Sequence, residues 1–175
     1  IGGEGCGFSI YGATASVKAG IYLGNNNCTI QNNRCGWDGG HNNYYGILLS
    51  FSNNNMLTEN TIDSNIVGIL LSSSSANTLS GNTANSNSNY GIYLSSSNSN
   101  TLMGNTYNSN SYYGIYLSLS SANTLSGNTA NSNSYGIYLS SSSNNNTLTG
   151  NTCNSNIYGI YLSSSNSNTL MGNTY

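Results

Sequence analysis

The feature that most constrains the fold of this chain is a short motif that recurs about every 22 or 23 residues over most of its length. The string Gly-Ile-(Tyr/Leu)-Leu begins at seven positions, namely Gly20, Gly46, Gly68, Gly91, Gly114, Gly136 and Gly159. A second string, Asn-Thr-Leu-x-Gly-Asn-Thr, advances in step with it and is anchored at Leu79, Leu102, Leu125, Leu148 and Leu170. A fixed period of this length is typical of a protein in which each repeat packs only on its neighbours.

The composition of the repeat indicates its structure. Asn, Ser and Gly supply 35, 33 and 21 of the 175 residues, and good helix formers are scarce. The Ile and Leu of Gly-Ile-Tyr-Leu alternate with Tyr, as in a β-strand that is buried on one face. No Asn-Gly dipeptide, the main signal of a two-residue hairpin, occurs anywhere in the sequence. The pattern therefore predicts parallel strands that stack coil on coil.

In such a stack, equivalent residues of successive coils lie about 4.8 Å apart and form ladders. We expect one inward ladder at Leu57, Leu79, Leu102, Leu125, Leu148 and Leu170, and a second at Ile62, Ala84, Tyr107, Ala130 and Cys153. Apolar burial of this size does not offset the entropy of ordering each coil. We therefore also predict hydrogen-bonded Asn ladders at Asn55, Asn77, Asn100, Asn123, Asn146 and Asn168, and at Asn60, Asn82, Asn105, Asn128, Asn151 and Asn173. Asn is also expected at left-handed bends.

The repeats, such as YGIYLSSSNSNTLMGNTYNSN from Tyr90, resemble those of the NosD-type family of right-handed parallel β-helix proteins, as in archaeal surface proteins. Together with the repeat count, this predicts an all-β, right-handed parallel β-helix (β-solenoid) of about seven coils. Residues 1–175 would form one repeat array, part of a longer chain or polymer. The resemblance implies secretion, hence an extracellular or cell-surface location, and for some members contact with polysaccharide. It supplies no catalytic residue.

Charged side chains are few and confined to the first third of the chain: Glu4, Lys18, Arg34, Asp38, Glu59 and Asp63. Because nucleic acids and anionic membranes are bound by clustered basic residues, we expect neither as a partner. No apolar run is long enough to span a bilayer. Asp63 occupies the repeat position of Asn85, so the pair Glu59 and Asp63 is interpreted as a corner variant. With so few carboxylates, the sequence predicts a protein that is not an enzyme and needs no cofactor.

Residues 31–45 contain an insertion of four or five residues relative to later coils. It holds the only Trp and the only His, so Trp37, Asp38 and His41 form a candidate loop site in which the indole would stack on a sugar ring. The spacing of Cys35, Asp38 and His41 matches no established ligand pattern, and no metal site is predicted. Isolated loop residues are the alternative interpretation.

Two pairs of cysteines have different predicted roles. Cys6 and Cys28 are one coil apart, so they are a candidate disulfide in a secreted protein. Cys35 and Cys153 share an inward ladder position five coils apart and are expected to be small buried side chains.

The sequence contains two Asn-x-Ser/Thr glycosylation sequons, at Asn27 and Asn145. The loop from Leu139 to Leu148 is one residue longer than its counterparts, so Asn145 is predicted to bulge outward and to be the better acceptor. Glycopeptide analysis showing sugar on Asn27 alone would reverse this ranking.

A stripe of aromatic residues is predicted along one flat face: Tyr22, Tyr93, Tyr116, Tyr138 and Tyr161, with Leu48 and Leu70 between them. A second file precedes the Gly of the motif and either points inward or lies at the bend: Tyr45, Val67, Tyr90, Tyr113, Tyr135 and Tyr158. A regular stripe of this kind indicates an interface. Since little charge keeps copies apart, we expect the protein itself as the favoured partner and polysaccharide as a second.

Three functions are compatible with these features. The first is a non-enzymatic structural protein that self-associates into a fibre, sheath or stalk. The alternative is a carbohydrate-binding or carbohydrate-processing module that acts through the tyrosine stripe or the Trp37 loop. A third is ice binding by the regular threonine file Thr78, Thr101, Thr124 and Thr147.

Overall fold

The structure, a computed structural model, describes residues 9–10, 19–36 and 43–175. Within these ranges every strand pair is parallel, and each strand pairs with its counterparts in the coils before and after it. The predicted all-β parallel β-helix is confirmed. Seven strands in each of two sheets delimit about six complete turns, slightly fewer than the seven predicted. In these ranges we find no helix with the length and hydropathy needed to cross a membrane.

Two sheets run the length of the described solenoid. The long-strand sheet contains β2 (Ala19–Leu23), β5 (Tyr45–Ser50), β8 (Val67–Ser72), β10 (Tyr90–Ser95), β12 (Tyr113–Ser118), β14 (Tyr135–Ser140) and β16 (Tyr158–Leu162). The short-strand sheet contains β3 (Thr29–Gln31), β6 (Met56–Thr58), β9 (Thr78–Ser80), β11 (Thr101–Met103), β13 (Thr124–Ser126), β15 (Thr147–Thr149) and β17 (Thr169–Met171).

A third, narrower ladder closes each coil. It begins with β1 (Ser9–Ile10), β4 (Arg34–Cys35) and β7 (Thr61–Ile62). Single parallel bridges then continue it through Thr61, Thr83, Thr106, Thr129, Thr152 and Thr174. The three ladders enclose one continuous core.

The core contains the predicted inward ladders. Leu57 to Leu148 are fully buried at each repeat, as are Ala84, Tyr107 and Ala130 of the second ladder. The last leucine, Leu170, differs because it is 42% exposed. Its strand β17 has a neighbouring strand on one side only, so one flank of this side chain lacks packing.

Each coil turns at four corners, and each corner has the same two-residue construction. In the coil that starts at Tyr90 the corner residues with positive φ are Ser96, Ser99, Gly104 and Ser109. Their backbone N–H groups donate to carbonyl oxygens of the next coil at 2.9–3.1 Å. These hydrogen bonds offset the cost of a left-handed backbone, which a residue other than glycine rarely adopts.

The residue after each corner carries the polar ladder. Ser97, Asn100, Asn105 and Asn110 are buried, and their backbone N–H groups donate to the side-chain oxygen of the equivalent residue one coil further on. A side chain thus accepts the hydrogen bond that a strand carbonyl would accept elsewhere. The repeat places Asn here because its amide is both acceptor and donor.

The two predicted Asn ladders are confirmed, and the structure adds others. A third ladder contains the buried residues Asn43, Asn65, Asn87, Asn110 and Asn133 and the half-buried Asn156, and a buried serine ladder contains Ser52, Ser74, Ser97, Ser120 and Ser143. The expectation that Asn occupies the left-handed bends is largely wrong, because mostly Ser and Gly have positive φ. The ladder Asn follows the bend instead of forming it.

The insertion within residues 31–45 begins later than the sequence suggested. Residues Gln31, Arg34 and Cys35 keep regular strand pairing in β3 and β4. Seven residues lie between Cys35 and Asn43, whereas two lie between their ladder partners Ile62 and Asn65. Five extra residues therefore lie between Cys35 and Asn43.

Candidate binding face

The tyrosines of both predicted files lie on the outer side of the long-strand sheet. The open question of the second file is settled by Gly91, the residue of β10 between Tyr90 and the buried Ile92. A Cβ on Gly91 would lie 2.7 Å from the Gly114 carbonyl oxygen, so only glycine fits there. With the glycine turned toward the core, the rings of Tyr90 and Tyr93 stand side by side outside, with centroids 5.3 Å apart.

Eight tyrosines in four consecutive coils form what we call the tyrosine face: Tyr90, Tyr113, Tyr135 and Tyr158 in one file, and Tyr93, Tyr116, Tyr138 and Tyr161 in the other. Ring centroids along each file are 4.8–5.2 Å apart. The interplanar angles are 9–20° except for the Tyr138–Tyr161 pair, at 48°. Most rings are therefore stacked along the solenoid axis.

Stacking determines which part of each ring is available to a ligand. A ring whose two faces touch its neighbours above and below presents its edge and its hydroxyl group outward. The tyrosine face is therefore an array of phenol edges and not a row of open ring planes.

The structure does not bring Tyr22 into this array. Tyr22 lies in register with Leu48, which pairs in turn with Leu70 and then Tyr93. It is 64% exposed and three coils away from Tyr93. Leu48 and Leu70, which the sequence placed within the stripe, interrupt it.

A file of serines flanks the tyrosines at the ends of the same strands. Ser95, Ser118 and Ser140 follow the inward leucines Leu94, Leu117 and Leu139 in register. The hydroxyl groups of Tyr116 and Ser140 are hydrogen-bonded at 2.9 Å. The outward side chains of these strands thus all carry hydroxyl groups.

Three phenols of this face have a raised pKa. Burial, reinforced by neighbouring phenols, raises the pKa of Tyr113 to about 12 and raises the pKa of Tyr90 and Tyr135 for the same reasons. A neutral phenol is both a donor and an acceptor. The face therefore offers many hydrogen-bonding groups without charge.

Asp63, near the third ladder, takes the place of a corner Asn. Asp63 accepts a hydrogen bond from the Asn85 backbone N–H at 2.9 Å, as an Asn at this position does for its own neighbour. Burial raises the pKa of Asp63, while this hydrogen bond and nearby Arg34 oppose the shift. Glu59 is exposed at a separate corner with positive φ. The interpretation of Asp63 as a corner variant is supported.

Several predicted site residues lie outside the described ranges, namely Trp37, Asp38, His41 and Cys6. The loop site and the Cys6–Cys28 disulfide therefore stay predictions. Cys28 is half-buried, and its Sγ lies 3.5 Å from the Asn26 carbonyl oxygen. Cys35 and Cys153 are buried in one ladder as expected, and burial raises the pKa of each thiol to about 12.

The two glycosylation candidates occupy the same corner ladder. Asn27 and Asn145 are both exposed with φ near 58°, and each donates its backbone N–H to the next coil. The extra residue of the longer loop is accommodated at the preceding corner, where Ser141 and Ser142 both have positive φ. Asn145 itself keeps the regular corner position, and the preference for Asn145 over Asn27 stays a prediction.

Comparison with known proteins gives a family and a set of similar folds. The family described as "Periplasmic copper-binding protein (NosD)" matches residues 7–156 and, in a second alignment, 95–175. A comparison with curated proteins finds no match.

Among solved structures, the periplasmic alginate epimerase AlgG is similar with a TM-score of 0.79 and 22% identity, covering 88% of this chain and 42% of its own. The A-module of the Azotobacter vinelandii mannuronan C-5 epimerase AlgE6 is similar with a TM-score of 0.67 and 14% identity, over 89% of this chain and 56% of its own. PfbA, a surface adhesin of Streptococcus pneumoniae, has a TM-score of 0.56 and 14% identity, over 86% of this chain and 44% of its own. The chain spans about two fifths to little more than half of these proteins.

These similarities correct the prediction that the chain is not an enzyme. That prediction rested on the small number of carboxylates, yet two of the similar folds are an alginate epimerase and a mannuronan C-5 epimerase. A β-helix whose repeat motif lacks catalytic residues can therefore still be an enzyme. Identities of 14–22% show the fold alone, and we transfer no catalytic residue from them.

For the copper named in the family description, the described residues bring together no cluster of imidazole, thiol and carboxylate side chains. Copper favours thiolate, thioether and imidazole ligands gathered around one point. Within residues 9–10, 19–36 and 43–175 no three His, Cys, Asp or Glu side chains come together in that way. Cys35 and Cys153 are held apart by four intervening members of their ladder.

Proposed function

The chain belongs to the NosD family, and on that premise we propose that it is a carbohydrate-binding β-helix module of a protein outside the cytoplasm. The tyrosine face would be its binding surface. The observation that carries the proposal is the unbroken array of eight tyrosines over four coils. The family description, the periplasmic epimerase AlgG and the surface adhesin PfbA support the location, and the alginate and mannuronan epimerases support the class of ligand.

The construction of the face suits a polymer. Stacking fixes most of the rings, so little side-chain entropy remains to be lost when a ligand binds. The face also repeats once per coil, as the residues of a polysaccharide repeat along its chain. A ligand that lies along the solenoid axis would meet two phenols in each coil.

The first experiment compares binding to a glycan array for the unmodified chain and two variants. Tyr116→Ala with Tyr138→Ala removes the centre of the face and is expected to abolish polysaccharide binding. The matched control, Thr101→Ala with Thr124→Ala, removes two outward side chains from the short-strand sheet and should bind as the unmodified chain does. The absence of binding by the unmodified chain, or an equal loss in both variants, would refute the proposal.

Two predicted functions stay open beside this one. Self-association into a fibre, sheath or stalk is a prediction for electron microscopy and sedimentation. Ice binding by Thr78, Thr101, Thr124 and Thr147, which lie in register on the short-strand sheet, is a prediction for a thermal-hysteresis assay.

A further inference from the structure

We infer that the tyrosine face takes an uncharged polysaccharide and holds it through phenol hydroxyl groups, not by stacking sugars on open aromatic rings. This inference rests on the proposed function and names the ligand class and the contact chemistry of the same surface. It follows from the ring geometry, the charge distribution and the period of the face.

The ring geometry excludes extensive stacking on a sugar. The four rings of one file have three contacts at 5.2, 5.1 and 4.8 Å, which cover the planes of Tyr113 and Tyr135 on both sides. Contacts between the files add to this, as between Tyr113 and Tyr116 at 5.0 Å. What reaches a ligand is the ring edge with its hydroxyl group.

The charge distribution selects a neutral ligand. From Ser64 to Tyr175 the sequence contains no Asp, Glu, Lys, Arg or His, so the four coils of the face hold no cation. Carboxylate or sulfate groups of an anionic polymer are bound strongly where Arg or Lys pairs with them. Sugar hydroxyls are donors and acceptors, as are neutral phenols and serines, and the raised pKa of Tyr113 keeps this character well above neutral pH.

The period of the face predicts a dependence on ligand length. Successive coils present equivalent pairs of phenol rings with centroids about 5 Å apart, so each further sugar that reaches a further coil adds similar contacts. The gain in affinity with ligand length should end when the ligand spans the four coils from Tyr90 to Tyr161. Val67 and Leu70, which carry no hydroxyl group, end the array on one side.

The test titrates the intact chain with two series of oligosaccharides of matched length, neutral gluco- and manno-oligosaccharides and oligouronates from alginate. The expected result is binding of a neutral series, at least about tenfold tighter than the uronates and unchanged by added salt. If uronates bind more tightly than neutral oligosaccharides, and the double variant Tyr116→Ala with Tyr138→Ala abolishes that binding, this inference is overturned and the proposed function stands. Binding of neither series would overturn both.

A second titration separates hydroxyl contacts from ring contacts. Tyr113→Phe with Tyr138→Phe keeps the stacked rings and removes two hydroxyls, while Tyr116 is left intact because it bonds Ser140. We expect about fivefold weaker binding for each hydroxyl removed, about 25-fold in the double variant. Thr101→Val with Thr124→Val removes two hydroxyls from the other sheet and should bind normally. The inference would be overturned if the Phe variant binds the oligosaccharide with unchanged affinity, whether or not its self-association changes.

Discussion

The buried Asn ladders are predicted to contribute more to the stability of the solenoid than their surface counterparts, and Asn128 provides the test. Its Nδ2 donates to the Leu102 carbonyl oxygen at 2.9 Å and to Asn151 Oδ1 at 3.0 Å. Its Oδ1 accepts from the backbone N–H and the side chain of Asn105 at 3.1 and 3.0 Å. Asn128→Ala removes all four hydrogen bonds from a site that is 1% exposed.

The expected decrease in the free energy of unfolding follows from these contacts. Three of the lost hydrogen bonds cost about 1 kcal/mol each, and the Asn105 backbone N–H, left buried without an acceptor, costs about 1–3 kcal/mol. The sum is about 4–6 kcal/mol, comparable with the whole stability of a small domain. Because coils contact only their neighbours, the damage should be greatest in the coils beside Asn128.

The free energy of unfolding is measured by urea titration monitored by circular dichroism, and hydrogen exchange locates the coils that lose stability. The control is Asn98→Ala, since Asn98 is exposed and its Oδ1 accepts one hydrogen bond, from the Ser121 backbone N–H at 2.7 Å. Because water can replace that hydrogen bond, the free energy of unfolding of the control should decrease by less than about 1 kcal/mol. Equal losses in the two variants would refute the argument that buried amide ladders stabilise the fold.

Three further predictions concern the core and the tyrosine face. Leu125→Asp places an unpaired charge at a fully buried position and should lower the free energy of unfolding by more than about 4 kcal/mol in urea titrations, so an unchanged midpoint would contradict the packing. Tyr107→Phe removes a buried hydroxyl with no hydrogen-bond partner among the described residues, and its melting temperature should equal or exceed that of the unmodified chain; a clear drop would show that the hydroxyl is bonded. The raised pKa of Tyr113, about 12 against an ordinary 10, means that the folded chain holds this proton longer, so the contribution of Tyr113 to stability should be constant below pH 10 and fall as pH rises toward 12; a phenolate absorbance difference between the unmodified chain and Tyr113→Phe that titrates at the ordinary pKa would contradict this.

The sequence predicts the ladders that a strict period makes visible. Leu125 and Asn128 recur within the string Asn-Thr-Leu-x-Gly-Asn-Thr in successive repeats, and a buried parallel stack is the simple way to satisfy that pattern. The third Asn ladder was missed although Asn-Ser-Asn ends two or three positions before a tyrosine in four coils, as at Asn87 and Asn110. Buried serines such as Ser97 were missed because serine is most often a surface residue.

The candidate site was predictable only in part. The alternation of Tyr93 with Ile92 and Leu94 placed one file outward, but the position of Tyr90 does not follow from a two-residue period, because the consecutive residues Gly91 and Ile92 are both buried. The stacking of rings also depends on side-chain angles that no sequence pattern specifies. The absence of charge from Ser64 onward was visible in the sequence, and it became informative once the hydroxyl array was located.

The most direct test of a polysaccharide-binding tyrosine face is an NMR titration of the intact chain, with isotope labels in its tyrosine and threonine side chains, against a neutral oligosaccharide. The account predicts shifts in the tyrosine rings from Tyr90 to Tyr161 and unchanged signals from Thr101 and Thr124 on the short-strand sheet. Tyr22, which lies outside the array, should also be unaffected. Shifts confined to the threonines or to Tyr22, or no shifts with any neutral or uronate oligosaccharide, would contradict it.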